Sequence, residues 1–382
     1  MDKFYSAAER KRVESHPQGV KYIKDVGKVY TIPEERRARL AEVQEKYAFR
    51  ANDYYLSLID WNDPKDPIMR IVIPDEDELI EDGILDPSDE ASITVAPGCE
   101  HKYSNTALLL CNDICGSFCR FCFRKRLFIH GNDEAKKDVS PGIEYIRNHP
   151  EIDNVLLTGG DPLLLSTKKL RTIVEQVMSI PHVKVLRIGS KMPAFNPYRI
   201  TDDPELDALL REVNENDCQV YIMAHFNHSR ELTEEATEAI WHLRRAGCRV
   251  HNQTPLLAGI NDNPDVLCAL ANRLSYIGVT PYYLFQNRPI AGNKAFKVPL
   301  MRGSRIFEQA KRRMSGVAKM QRYVMSHRLG KVEIVGVENG RIYLRFHQSK
   351  FPENEGRFFS CPVNEDAYWL DDLDLPQDIR QF

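Results

Sequence analysis

From about residue 105 to 300 the chain alternates short β-branched or leucine-rich runs with amphipathic helical segments, and no other feature limits its fold as sharply. The strand-like runs are 106–110, 154–159, 183–189, 219–226, 248–257 and 279–285. Helical patterns lie between them, as at 166–180 and 233–247, with Ser166 and Thr233 placed to cap the starts and Gly247 the end. Strand and helix alternating at this spacing require right-handed crossovers and a parallel sheet. Six such units are too few for a closed eight-stranded barrel, so the expected fold is α/β with a partial (β/α)6 barrel over 101–300.

The flanks read differently. Residues 1–100 are rich in charge and proline and are expected to form a helical and extended cover. A helix near 33–47 is signalled by Thr31 with Glu34 three residues on and by Pro33, while 61–74 reads as an extended loop. Residues 301–382 form a small α+β extension with a basic helix at 304–316, a hairpin turning at Asn339-Gly340, and an acidic, aromatic flap.

The 382 residues carry a formal net charge of −3 with both signs interspersed, which gives no sign of a nucleic-acid partner. The first residues lack the apolar run of a secretory signal, and no stretch approaches a membrane span, so a cytoplasmic setting with no membrane contact is expected. Thiols stay reduced there.

Of nine cysteines, Cys99, Cys218, Cys248, Cys268 and Cys361 are scattered singly and read as small buried hydrophobes. The other four lie between 111 and 122. Cys115, Cys119 and Cys122 have the spacing CxxxCxxC directly after the first strand of the repeating region. Three thiolates in one tight loop can bind three irons of a cubane cluster and leave the fourth open to a small molecule. A zinc site or a fully ligated electron-transfer cluster is the alternative, with Cys111 as a possible fourth ligand, although Cys111 ends a strand and is expected to face the core. Gly159-Gly160 follows the next strand, at the sheet end where α/β folds bind ligands. That turn suits the amino group of a bound S-adenosylmethionine (SAM).

These motifs resemble the lysine 2,3-aminomutase family of radical SAM enzymes. The likeness begins at 54–68 (YYLSLIDWNDPKDPI) and continues through CGSFCRFCFRKR, LLTGGDPLL, RIGSKMPAFNPYRIT, HFNHSRELTEEAT, NQTPLLAGIND and PYYLFQ. It implies a [4Fe-4S] cluster on Cys115, Cys119 and Cys122, with SAM at the open iron and cofactor contacts from Gly159, Gly160, Asp161 and Gln253. The resemblance further implies that Lys331 holds pyridoxal phosphate (PLP), that Arg124 pairs with the substrate carboxylate, and that an amino group moves from the α to the β carbon of a small amino acid. A reduced donor such as flavodoxin or ferredoxin would supply the electron, and a homo-oligomer is conceivable.

The sequence departs from the family in several places. SHRLG precedes Lys331 in place of a glycine-rich run, Thr106 replaces an arginine expected at the PLP phosphate, and Lys102 stands near it. Arg288 and Ser326 replace the two aspartates that bind the lysine ammonium, which points to a substrate other than lysine, with an anionic side chain. The C-terminal zinc-binding cysteines of some relatives are missing, so no zinc is expected. Two other functions fit the same motifs: a PLP-independent radical SAM epimerase or dehydrogenase, and a non-catalytic iron-sulfur protein.

Overall fold

The computed structural model describes residues 19–129, 132–136 and 138–380; the N-terminal residues examined for a signal lie outside these ranges. One twelve-stranded sheet runs in chain order from β1 (Thr94–Ala96) and β2 (Cys99–Tyr103) through β3 (Thr106–Asn112), β4 (Asn154–Gly159), β5 (Val185–Ser190) and β6 (Gln219–Ala224). It continues with β7 (Arg249–Leu256), β8 (Thr280–Gln286), β9 (Arg322–His327), β10 (Gly330–Glu338), β11 (Arg341–Ser349) and β12 (Phe358–Pro362). Strands β3 to β9 are parallel, and antiparallel pairs extend the sheet at both edges.

All six strand runs read from the sequence are strands of this parallel set. Six crossovers join its seven strands through α1 (Ser140–Arg147), α2 (Thr167–Met178), α3 (Pro204–Glu215), α4 (Glu234–Arg245), α5 (Pro264–Tyr276) and α6 (Leu300–Lys311). The seventh strand, β9, was not anticipated. Alternation decides which face meets the helices: Leu186 and Ile188, Val220 and Ile222, and Val250 join the core under the helices. Arg187, Tyr221, His251 and Gln253 therefore point to the opposite face. On that face Lys102 of β2 donates to the His327 carbonyl of β9 at 2.5 Å, across six intervening strands, so the sheet is strongly curled.

An N-terminal layer packs over this curl. Tyr54, Tyr55, Ile68, Ile71 and their neighbours share a core with Phe121, Phe195, Leu257, Ile260 and Phe296, which lie in segments after β3, β5, β7 and β8. Several local expectations change here. The first N-terminal helix spans Glu34–Lys46 with Pro33 at its cap, so Thr31 lies too far upstream to cap it. Within 61–74 a helix forms at Pro67–Val72, because Asp66 accepts from the Met69 N–H and Pro67 suits the first turn. Thr233 caps α4 through the Ala236 N–H, whereas Ser166 sits before α2 without a side-chain cap bond. At the β10–β11 turn Asn339 and Gly340 both take positive φ, as a tight hairpin requires. The acidic C-terminal segment packs Trp369, Leu370 and Leu373 into the core beneath β9–β11.

Candidate active site

The cysteine loop leaves β3 and is tied down on both sides. Gly160 N donates to Asn112 O at 2.5 Å and Asp161 N to Ile114 O at 2.8 Å, fastening the β4 turn to the start of the loop. A Cβ on Gly160 would stand 2.4 Å from the Ile114 carbonyl oxygen, and one on Gly159, at φ +107, 2.5 Å from that of Asn112. The glycine pair thus serves backbone-to-backbone approach within the chain. On the far side Phe118 N donates to Arg50 O and Arg120 N to Ile71 O, both at 2.8 Å, so the N-terminal layer holds the loop in its turn.

Arg120 and Lys125 extend this grip. Glu78, from the N-terminal layer, is 2% exposed and takes Arg120 Nε at 2.8 Å and Nη2 at 2.9 Å, and Lys125 Nζ at 3.1 Å. Burial works against the Glu78 charge, but the two cations hold its carboxyl below the usual range. Arg120, for which the sequence suggested no role, is thereby a structural clamp.

The three cysteines of the motif keep some accessible surface, while Cys111 is buried in the core under the helices. Burial pushes the Cys115, Cys119 and Cys122 thiols up; Asp161, Cys122 and Cys119 raise Cys115 further, while Cys119 is lowered by Lys191 and raised by Cys122. Iron takes cysteines as thiolates, so a cluster bound here must displace three protons. Among the described residues no three His, Cys, Asp or Glu side chains gather as a ligand set for a single ion.

Beside Cys119 lies a buried polar network. Lys191 Nζ donates to Glu231 Oε1 at 2.5 Å, to Asn227 Oδ1 and to His225 O, and Tyr55 OH donates to Glu231 at 2.6 Å. Asp161 is buried and accepts from the N–H groups of Leu163 and Lys191; burial carries it up to about 6 against those bonds. Gln253 lies between His251 and Pro255 on the helix-free face.

Lys331 stands across the curl on β10, paired in register with Ser326 of β9, so the two share a face. Its Nζ donates to Gln348 at 2.9 Å and lies 4.6 Å from the Tyr283 ring centre and 5.5 Å from that of Tyr103. Burial, followed by Arg187, Lys102 and Arg288, brings Lys331 down to about 7. Burial likewise lowers Lys102 to about 7. The hydroxyl of Thr106, at the position of the missing arginine, bonds among the described residues only to neighbouring Asn105.

Arg288 and Arg124 both act electrostatically on one carboxylate pair, Glu90 and Glu100. Arg288 lies 3.8 Å over the Phe123 ring centre, and its Nη1 is buried without a hydrogen-bond partner among the described residues. Burial takes it down to about 10. Arg124 Nη2 reaches Glu90 at 2.9 Å and Glu100 at 3.3 Å, and its Nη1 donates to Thr158 Oγ1 at 3.1 Å. Burial opposes both carboxylates: Glu90 still falls to about 2 because Arg124, Arg288 and Arg126 surround it, while Glu100 rises to about 7. Neither glutamate was legible as a site residue, since 76–100 carries no motif beyond its acidity.

Comparison with known proteins follows this arrangement. No protein-family model matches the chain. An Aquifex aeolicus protein named "Putative L-lysine 2,3-aminomutase" is 52% identical over 92% of this chain and 95% of its own length. The L-lysine 2,3-aminomutase of Clostridium subterminale is 37% identical, over 80% of this chain and 71% of its own, and that of Acetoanaerobium sticklandii 38% identical, over 80% and 72%. Among solved structures, a radical SAM methyltransferase from Sphaerobacter thermophilus aligns at a TM-score of 0.41 and 16% identity, over 59% of this chain and 68% of that one. The protein is an enzyme of the radical SAM isomerase class. It belongs to the lysine 2,3-aminomutase family.

Proposed function

We propose that this enzyme moves an amino group from the α to the β carbon of an amino acid with an anionic side chain, L-glutamate being the expected substrate. The observation that carries the substrate class is Arg288, whose Nη1 is buried and has no hydrogen-bond partner among the described residues. A cationic side chain brought beside it would bury like charges together at a cost of several kcal/mol, on the order of 3–5.

The residues present fit the cofactors of such an enzyme. Cys115, Cys119 and Cys122 would hold the [4Fe-4S] cluster, and Gly159, Gly160, Asp161 and Gln253 would face SAM. Lys331 would hold PLP, and Lys102 and Arg187, neither in an ion pair among the described residues, suit its phosphate. When bound, the cluster and SAM supply a hydrogen-abstracting radical, and PLP supplies a carrier for the migrating amino group. Lys331 Nζ, held partly unprotonated near neutrality, has the free electron pair that attack on a carbonyl needs. Arg124 offers its remaining Nη1 proton to the α-carboxylate, Ser326 lines the substrate side of Lys331, and the N-terminal layer shields the hollow from water.

On this reading the curled sheet is a six-unit partial barrel of the radical SAM type. The segment up to residue 100 is its cover, and 301–382 delivers Lys331. A low-potential donor such as flavodoxin or ferredoxin supplies the electron in a reducing cytoplasm. Among the described helices none is long and apolar enough to cross a membrane.

The test is a screen of the twenty amino acids for deoxyadenosine release by anaerobically reconstituted enzyme with SAM, dithionite and PLP. L-Glutamate is expected to give the fastest release, and Arg288→Asp to move preference toward L-lysine. Preference for L-lysine by the wild type would overturn the substrate assignment and leave the family membership untouched.

A further inference from the structure

Arg124 has five N–H donors, and its hydrogen bonds to the described residues engage three of them, one on each nitrogen. Glu90 accepts from Nε at 3.3 Å, Glu100 from Nη2 at 3.3 Å and Thr158 from Nη1 at 3.1 Å, while the Glu90 carboxylate also stands 2.9 Å from Nη2 as an ion pair. On Nη1 a single proton is left, which is half of what a carboxylate accepts from an arginine in a bidentate pair. Glu100 is 2% exposed, and its Oε1 is buried with no hydrogen-bond partner among the described residues. An ionised carboxylate oxygen left in that state costs on the order of 1–3 kcal/mol or more.

A substrate carboxylate docking on Arg124 would bring a third carboxylate to a guanidinium that already serves two. Carboxylates forced this close cannot all remain ionised, and the one with the weakest cationic support takes a proton. Support is uneven. Glu90 is flanked by Arg124 and by Arg126 at 2.5 Å, whereas Glu100 has the 3.3 Å contact with Arg124 alone. The charged groups that act on Glu100 are Glu90 from the segment before β1, Arg124 and Arg126 from the cysteine-loop side, Arg288 from the segment after β8, and Lys102 on its own strand, itself brought down to about 7 by burial.

We propose that Glu100 binds the substrate's α-carboxylate as a neutral carboxylic acid, its O–H donating beside the last Nη1 proton of Arg124, so that each substrate molecule enters together with one proton. The proton comes from solvent on binding and returns to it on release, and no bond other than O–H is made or broken. The inference rests on the reading that Arg124 faces the substrate carboxylate. The position of Glu100 at neutrality in the free protein agrees with it.

Steady-state KM tests this in reconstituted holoenzyme, with L-glutamate and L-lysine each titrated between about pH 6 and pH 9. Wild-type KM should stay level below about pH 7 and rise about tenfold per pH unit above it. Glu100→Gln, whose amide donates at every pH, should lose that rise. Calorimetric titration of the wild type in two buffers of different ionisation enthalpy should show close to one proton taken up per amino acid at about pH 8. That second measurement stands even if the variant folds poorly. A flat wild-type KM, an unchanged slope in Glu100→Gln, or no proton uptake would overturn the role of Glu100. Arg124→Lys separates the two readings: unchanged KM would remove the carboxylate assignment of Arg124 itself, whereas raised KM with the slope intact in Glu100→Gln would reject Glu100 alone.

Discussion

Lys331 shows how a single residue is made useful by what surrounds it. Burial lowers it from 10.5 to about 7, so between those values the unfolded chain holds a proton that the folded chain lacks. Stability therefore rises with pH across that window, and below about 7 the folded state bears the whole cost of burying the charge. Lys331→Met should raise the unfolding free energy by about 2–4 kcal/mol at neutral pH, read by urea denaturation, and the gain should vanish toward pH 10. The same substitution should abolish borohydride-dependent labelling by PLP; an unlabelled wild type would sink the assignment. Family likeness pointed to Lys331, Arg124 and Arg288. It could not reveal the partners of Arg124, because Glu90 and Glu100 lie 34 and 24 residues upstream and only the folded chain brings them to it.

At the level of elements, the repeating strands and helices were readable because a fixed period of alternation leaves few topologies. Irregular pieces were not. The Pro67–Val72 helix is too short for a 3.6-residue period to stand out, and β9 follows a basic helix with little polar contrast between its faces. Joints between elements are equally silent in sequence. Glu78→Ala should cost about 3–5 kcal/mol in a thermal or denaturant melt, since it strands the buried Arg120 and Lys125 charges together. Gly160→Ala should lower the iron content of reconstituted protein well below that of wild type, because its Cβ would collide with the Ile114 backbone rather than with a movable side chain. Full iron loading in that variant would mean the β4 turn does not govern the cysteine loop.

For the molecule as a whole, three cysteines on a loop that only the folded chain ties down on both sides imply that cluster binding and folding are coupled. Removing the cluster by oxidation and chelation should lower the thermal midpoint by several degrees, roughly 5 °C, whereas Cys111→Ala should leave iron content intact because Cys111 faces the core. The hydrogen bonds from Phe118 and Arg120 to Arg50 and Ile71 carry a further consequence. They make the N-terminal layer one wall of the cysteine loop, so the order of assembly matters: iron and sulfide should load fastest while the segment carrying Arg50 and Ile71 is still undocked. A freshly made chain waiting for its cluster would expose that segment to proteases, and the finished enzyme would hide it.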